Sequence, residues 1–377
     1  MRRGPLRSRR GSIAAILASV MLTLAAGAGI AAAPPPLRPI WRTNLADNEF
    51  FLRYNPLEMA GPADSGDGLS VVVGASDGRI RRVSLRDGTP LWSKDIGGGP
   101  QGRVTVTDNR VFLASDSGHV IALDATSGEE IWRERAGGAV VAGPVVASGR
   151  LLFVTDEDNL RVLHPATGKW AWDYSRDTPD GFVLYGASEP VVHAGRVLMG
   201  YADGSLVSLS LADGSLIWRQ DLSSGQDEFT DVDATPVVDG DRVFAASYSG
   251  GLHCLSLEDG EIRWQTELRG GRTPVLDGDN LLVPTANGQL LSVEASTGKV
   301  IYRRRLAEEG ALGRMVKLGR WWATSSRTLG LLVVDGASGR VVQRFDGGSG
   351  VSAPPAVIGG TVILLSNGGW LYGFRLG

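Results

Sequence analysis

Apolar residues in this chain fall in short runs, alternating or clustered, and the breaks between runs sit at Asp-Gly or Ser-Gly pairs. The stretch from Asp231 to Leu268 shows the unit most plainly, as TPVVDGD, RVFAASYSG, GLHCLSL and EIRWQTEL in succession. Each run is strand-length, and the glycine-containing pairs between the later ones supply the positive φ that a tight hairpin turn requires. The stretch therefore reads as four short antiparallel strands. One such unit cannot bury both of its faces, so it needs neighbours of its own kind.

Those neighbours are present and in register. A turn glycine precedes the third strand and another follows ten residues later: Gly78 and Gly88, Gly118 and Gly128, Gly204 and Gly214, Gly250 and Gly260, Gly288 and Gly298. Four residues past the second glycine stands an aromatic, namely Trp92, Trp132, Trp172 (after Gly168), Trp218, Trp264 and Tyr302. Positions between the glycines stay apolar, as at Ile80 and Val83 or Leu290 and Val293. A seventh copy is worn, with Leu329 at the first glycine position, Gly339 at the second and Gln343 in place of the aromatic. A period near 40 residues with four strands per unit (Trp92 to Trp132 is 40) predicts a β-propeller. A flat ring at one position per blade packs between adjacent sheets and buries about 150–250 Å². It needs no ligand to explain it.

The two ends of the chain complete each other. Ile40-Trp41-Arg42 copies the fourth-strand pattern of Leu91-Trp92 and Ile131-Trp132, while the unit that begins its turn at Asn367-Gly368 stops at Gly377, short of a fourth strand. The expected fold is all-β: an eight-bladed β-propeller of four-stranded antiparallel blades over residues 34–377, with the ring closed by the N-terminal strand.

Composition changes this picture only at the margins. A hydrophobic content of 43% and 52 glycines suit a chain of hairpins. The single cysteine, Cys254, excludes an internal disulfide and aligns with Ala122 inside a third strand, so it reads as a small core residue. Residues 1–33 stand apart from the fold. Arg2, Arg3, Arg7, Arg9 and Arg10 precede an uncharged run from Ile13 to Ala33, the pattern of a signal peptide or of a retained N-terminal anchor. Either way the body is exported. Setting the 5 leader arginines aside leaves 33 of the 38 basic residues against 41 acidic ones, a net of −8. An acidic body argues against nucleic acid, or an anionic membrane surface, as the main ligand.

Catalytic chemistry is not visible. His119, His164, His193 and His253 lie in different blades without metal-ligand spacing, and no nucleophile elbow, P-loop or dinucleotide fingerprint occurs. The aspartates of the DG turns (Asp77, Asp87, Asp203, Asp213, Asp259) are explained by turn geometry. No catalytic residue, cofactor or metal ligand is expected. The insertions say more. Asn44 to Asp67 precedes the first full blade, and Asp173 to Ser188 and Ser223 to Asp233 stretch the aromatic spacing to 46 residues each (Trp172 to Trp218, Trp218 to Trp264). The last two precede first strands, so they emerge on one face at adjacent blades, where repeat folds carry function. Simple tolerance of longer loops gives the same lengths without function.

The unit G-x-L-x-x-L-x-x-x-x-G-x-x-x-W resembles the PQQ-type repeat shared by quinoprotein dehydrogenases and by the BamB family of outer-membrane β-barrel assembly factors, over Leu37 to Gly377. Two segments resemble the BamB family in particular. Thr230 to Val238 (TDVDATPVV) is similar to its D-V-D-x-T-P-V-V segment, and Phe182 to Pro190 (FVLYGASEP) to its L-x-L-R-G-x-S-x-P loop. The resemblance implies that these segments, which fall on the two lengthened links, together contact a POTRA domain of a BamA-type protein. The partner-binding residues it implies here are Phe182, Leu184, Tyr185, Asp231 and Asp233. Tyr185 stands where the family carries Arg, which shifts the expected contact from charge toward apolar burial. No cysteine lies near residue 33 to carry the family's lipid.

Taken together, the resemblance implies a monomeric, non-enzymatic scaffold in the periplasm, peripheral to the outer membrane, that assists β-barrel assembly and can also hold unfolded outer-membrane proteins. A periplasmic binding protein with another partner, or a carbohydrate ligand, fits the same repeat. A quinoprotein oxidoreductase would be a longer chain with a paired-cysteine element and a calcium site.

Overall fold

The computed structural model describes residues 36–45, 58, 60–176, 188–223 and 231–377. They form eight four-stranded antiparallel sheets, each made of chain-consecutive strands except one. Blade 1 runs from Ala63 to Asp95, blade 2 from Pro100 to Arg135, blade 3 from Val140 to Tyr174 and blade 4 from Val191 to Asp221. Blade 5 covers Val237 to Thr266, blade 6 Val275 to Arg305 and blade 7 Val316 to Phe345. Blade 8 takes Ala356–Ile358, Thr361–Leu365 and Trp370–Leu376, and its fourth strand is Leu37–Asn44 from the other end of the chain. The eight-bladed ring closed by the N-terminal strand is thus the observed architecture. No helix among the described residues is long and apolar enough to cross a membrane.

Burial follows strand position. Second and third strands are almost wholly buried, as in Arg110–Ser115 and His119–Asp124, whereas fourth strands such as Pro90–Asp95 alternate between exposed and half-buried. The core is divided into eight apolar clusters, one at each seam. Leu113 and Ile121 meet Val72 and Ile80 between blades 1 and 2, and Cys254 lies with Phe244 and Leu291 between blades 5 and 6. Apolar side chains on both faces of the inner strands are what makes a single blade insoluble and a closed ring stable.

The register aromatics explain the second glycine of each pair. Each ring packs against the next blade's glycine, so that a Cβ built there would sit 2.5–2.9 Å from it: Trp41 at Gly88, Trp92 at Gly128, Trp132 at Gly168, Trp172 at Gly214, Trp218 at Gly260, Trp264 at Gly298 and Tyr302 at Gly339. Each indole N–H, and the Tyr302 hydroxyl, also donates to a backbone carbonyl of that next blade at 2.6–3.2 Å, from Leu85 to Gly336. The glycine is therefore required twice, by a left-handed φ of 68–78° and by the ring against it.

Gln343 breaks the series for a structural reason. The third and fourth strands of blade 8 come from opposite ends of the chain, so no turn joins them and no glycine awaits an aromatic from blade 7. Instead the Gln343 amide clasps the closing strand, accepting from Leu37 N at 2.8 Å and donating to Leu37 O at 2.9 Å. The first glycine position is less regular than its spacing implies. In blades 5, 7 and 8 the left-handed residue is one place later, at Gly251, Gly330 and Gly369, and in blade 3 it is Asp158. Leu329 is tolerated because Gly330 carries the turn.

Candidate partner-binding site

The connection from blade 3 to blade 4 is anchored at its near stem by Arg176. The guanidinium lies 4.9 Å over the Tyr201 ring, donates to Ser205 Oγ at 2.7 Å and forms an ion pair with Asp203. Arg219 reaches the same carboxylate at 2.7 Å. Burial works against ionising Asp203, but the hydrogen bonds from Arg176 and Ser205 outweigh it and hold the carboxyl below its ordinary range. Tyr201 is buried, with Tyr174 edge-on at 6.2 Å, and burial pushes its phenol far above the ordinary value.

At the far stem, this link and the next are joined. Glu189 N donates to Thr235 Oγ1 at 3.3 Å and Ser188 Oγ to Ala234 O at 3.4 Å, and Thr235 N continues to Thr273 Oγ1 at 3.1 Å. The segment from Asp231 to Pro236 is wedged between blades 4 and 5: Val232 is fully buried, and its N–H donates to Tyr201 O at 3.1 Å. Gly200 leaves room for it, since a Cβ there would meet the Val232 carbonyl.

Of the residues singled out from the sequence, Phe182, Leu184 and Tyr185 lie outside the described residues. Asp231 and Asp233 are set inward. Asp231 is 3% exposed, and its carbonyl accepts from Tyr248 N at 2.9 Å. The Asp233 side chain is 11% exposed and reaches Arg272 at 3.8 Å. Burial raises the Asp233 pKa above the ordinary value, and Arg272 offsets only part of that. Between Asp231 and Asp233, Val232 enters the apolar cluster of the seam between blades 4 and 5, while the Asp233 carboxylate turns to Arg272.

A further group escaped the sequence reading. Glu189 from blade 4's inner end meets Arg314 at 3.2 Å and Arg103 at 3.5 Å, from blades 7 and 2. Blades so far apart in ring order meet only across its centre, so these side chains meet in the central channel. A cavity of about 480 Å³ lies there, lined also by Pro62, Asp64 and Pro354. The sequence carries no local signal for this group, because Arg103 and Arg314 lie 86 and 125 positions from Glu189. Among the described residues no group of three His, Cys, Asp or Glu side chains is placed to hold a metal ion.

Comparison with known proteins decides the family. Residues 76–303 match the model of the outer membrane protein assembly factor BamB. The chain belongs to the BamB family. Among solved structures it is similar to BamB from Moraxella catarrhalis, at 20% identity and a TM-score of 0.78, over 90% of this chain and 99% of that one. It is also similar to the computationally designed Ika8 protein (16%, TM-score 0.70, 85% and 97%). The quinohemoprotein alcohol dehydrogenase ADHIIG from Pseudomonas putida HK5 shares the fold too (12%, TM-score 0.74, 91% and 76%). Identities this low speak for the fold alone. No curated protein matches the sequence.

Proposed function

We propose that this BamB-family chain is an exported, non-enzymatic scaffold that binds a POTRA domain of a BamA-type protein and assists β-barrel assembly at the periplasmic side of the outer membrane. The observation that carries this reading is the coupling of the two links. Both are longer than the blade period requires, and their stems are hydrogen-bonded through Ser188–Ala234 and Glu189–Thr235. A partner that spans both links then meets two stems already tied to each other, which lowers the ordering cost of binding. Leu184, Phe182 and Tyr185 supply apolar anchors in this proposal, while Asp231 and Asp233 place their carboxylates at the base of the second link.

The test is titration of the body against the POTRA segment from the same genome. Leu184→Ala should weaken binding by more than about 1 kcal/mol with little change in melting temperature, as expected for an interface anchor. Asp231→Ala with Asp233→Ala should slow association and flatten its salt dependence. No binding by the unsubstituted protein, or full binding by a variant that combines Leu184→Ala, Asp231→Ala and Asp233→Ala, removes the reading. The shared fold with a quinohemoprotein dehydrogenase supports a second reading as an oxidoreductase. Recovery of a stoichiometric, redox-active quinone from the purified protein would promote that reading over the first.

A further inference from the structure

The net charge of −8 conceals a segregation that appears once the outer strands are set side by side. The fourth strands of blades 1 to 4 each carry a carboxylate: Asp95, Glu130 with Glu134, Asp173 and Asp221. Blade 5's Ile262–Thr266 has none, but its Arg263 is paired with Asp241. The fourth strands of blades 6, 7 and 8 (Val300–Arg305, Val341–Phe345 and Leu37–Asn44) carry Arg303, Arg304, Arg305, Arg344, Arg38 and Arg42 and no carboxylate. All six arginines are exposed. Among the described residues only Arg344 has a carboxylate partner, Asp346 at 3.1 Å. Arg304 and Arg305 donate to the backbone carbonyls of Ser338 and Glu308, and Arg42 stacks on Trp370 at 4.8 Å.

These strands form one continuous surface. The Arg304 bond to Ser338 joins blade 6 to the turn that precedes Val341, and the Gln343 clasp on Leu37 joins blade 7 to blade 8. Exposed aliphatic side chains lie among the arginines: Val300, Ile301, Val341, Val342 and Ile40, each 36–52% exposed. A belt of exposed apolar residues runs round most of the ring, at Leu91, Ile131, Leu216 and Ile262 for example. On blades 6 to 8 the belt lies among these six arginines, and the nearest carboxylate beyond the ends of the three strands is Asp346, which follows Phe345 and pairs with Arg344.

We propose that the outer rim of blades 6 to 8 is a docking surface for an anionic phospholipid bilayer, the arginines meeting lipid phosphates and the aliphatic side chains entering the headgroup layer. Charge complementarity selects an anionic partner, and Arg38, Arg42, Arg303, Arg304 and Arg305, which have no carboxylate partner among the described residues, bind phosphate without first breaking an ion pair. The acidic fourth strands of blades 1 to 4 face away from such a surface, which orients the ring on it. This docking is independent of the POTRA reading.

Vesicle flotation tests it, using the body from residue 34, which contains both strands of the ring closure. Vesicles of phosphatidylcholine alone are compared with vesicles that also contain phosphatidylglycerol, at low and high salt. The body should float with the anionic vesicles only and should release as salt rises. Arg303→Glu with Arg305→Glu should weaken binding by roughly twentyfold or more, at about fivefold per arginine. Ile301→Ser should weaken it several-fold at fixed salt. Arg86→Glu with Arg135→Glu, exposed on blades 1 and 2, should bind as the unsubstituted body does. Equal flotation with both vesicle types, no flotation, or flotation unaffected by Arg303→Glu with Arg305→Glu would overturn the proposal. Loss of a protein partner by that variant, without any vesicle binding by the parent, would assign the rim to an acidic protein instead.

Discussion

Removing the closing strand is the perturbation that bears hardest on this architecture. A protein that begins at Asp47 lacks Leu37–Asn44, whose seven paired positions run from Leu37 opposite Leu376 to Asn44 opposite Trp370. Leu37 is 1% exposed and sits in the seam between blades 7 and 8, beside Leu331 and Phe374. Trp41 packs in the next seam against Val71 and Leu371, covers Gly88 and donates to Leu85 O at 2.8 Å. Losing a buried leucine costs about 2–3 kcal/mol, and losing a Trp that is only partly buried costs about 3–5 kcal/mol at most. A total of about 5–8 kcal/mol is comparable to the whole stability of many proteins. With an unfolding entropy of about 2.1 cal/mol/K per residue, a ring of this length should melt roughly 7–11 °C lower. Blade 8 would also expose an open strand edge, so aggregation should rise. The assay is thermal unfolding followed by circular dichroism and light scattering. A shortened protein that melts within about 2 °C of the full body would show that the strand does not hold the ring closed.

Two further outcomes follow from local geometry. Gln343→Leu removes both hydrogen bonds to Leu37 and should cost about 1–2 kcal/mol, and Gln343→Trp should not restore it, because no glycine lies opposite; differential scanning calorimetry of the two variants checks both. Glu58 accepts from Ser76 N at 2.9 Å and Ser76 Oγ at 2.7 Å beside the Asp77–Arg81 ion pair, and burial raises its pKa to about 7. An acid whose pKa is raised in the fold holds a proton that the unfolded chain has lost, so its contribution is fully favourable below about pH 4.5 and declines as pH rises toward 7. Glu58→Gln should therefore gain stability relative to the parent across that window, by about 3 kcal/mol at pH 8; a difference between the two that does not change with pH would contradict the assignment.

Much of this fold is legible in the sequence because its determinants are local and repeated. A ring and the glycine it packs against recur at fixed spacing, so Trp92 and Gly128 announce each other from 36 positions apart. Closure is legible because Trp41 repeats a pattern that the last unit lacks. What the sequence withheld depends on contacts between distant segments. Gln343 looked like a decayed aromatic until the partner from the opposite end of the chain was in place. The resemblance named Asp231 and Asp233 as partner contacts, and only the packing of their segment between blades 4 and 5 shows how deeply both are buried. Glu189 looked like an ordinary loop residue, since Arg103 and Arg314 reach it only across the ring. A net charge likewise averages away the difference between the rims of blades 1 to 4 and 6 to 8.

The most direct test of the account is affinity capture of a tagged full-length copy from solubilised membranes of its source organism. The account predicts recovery of a BamA-type protein carrying POTRA domains, and loss of that protein when Leu184 is replaced by Ala in a copy that still folds. Capture of other partners without any BamA-type protein, or of a chain loaded with a redox-active quinone, would contradict it.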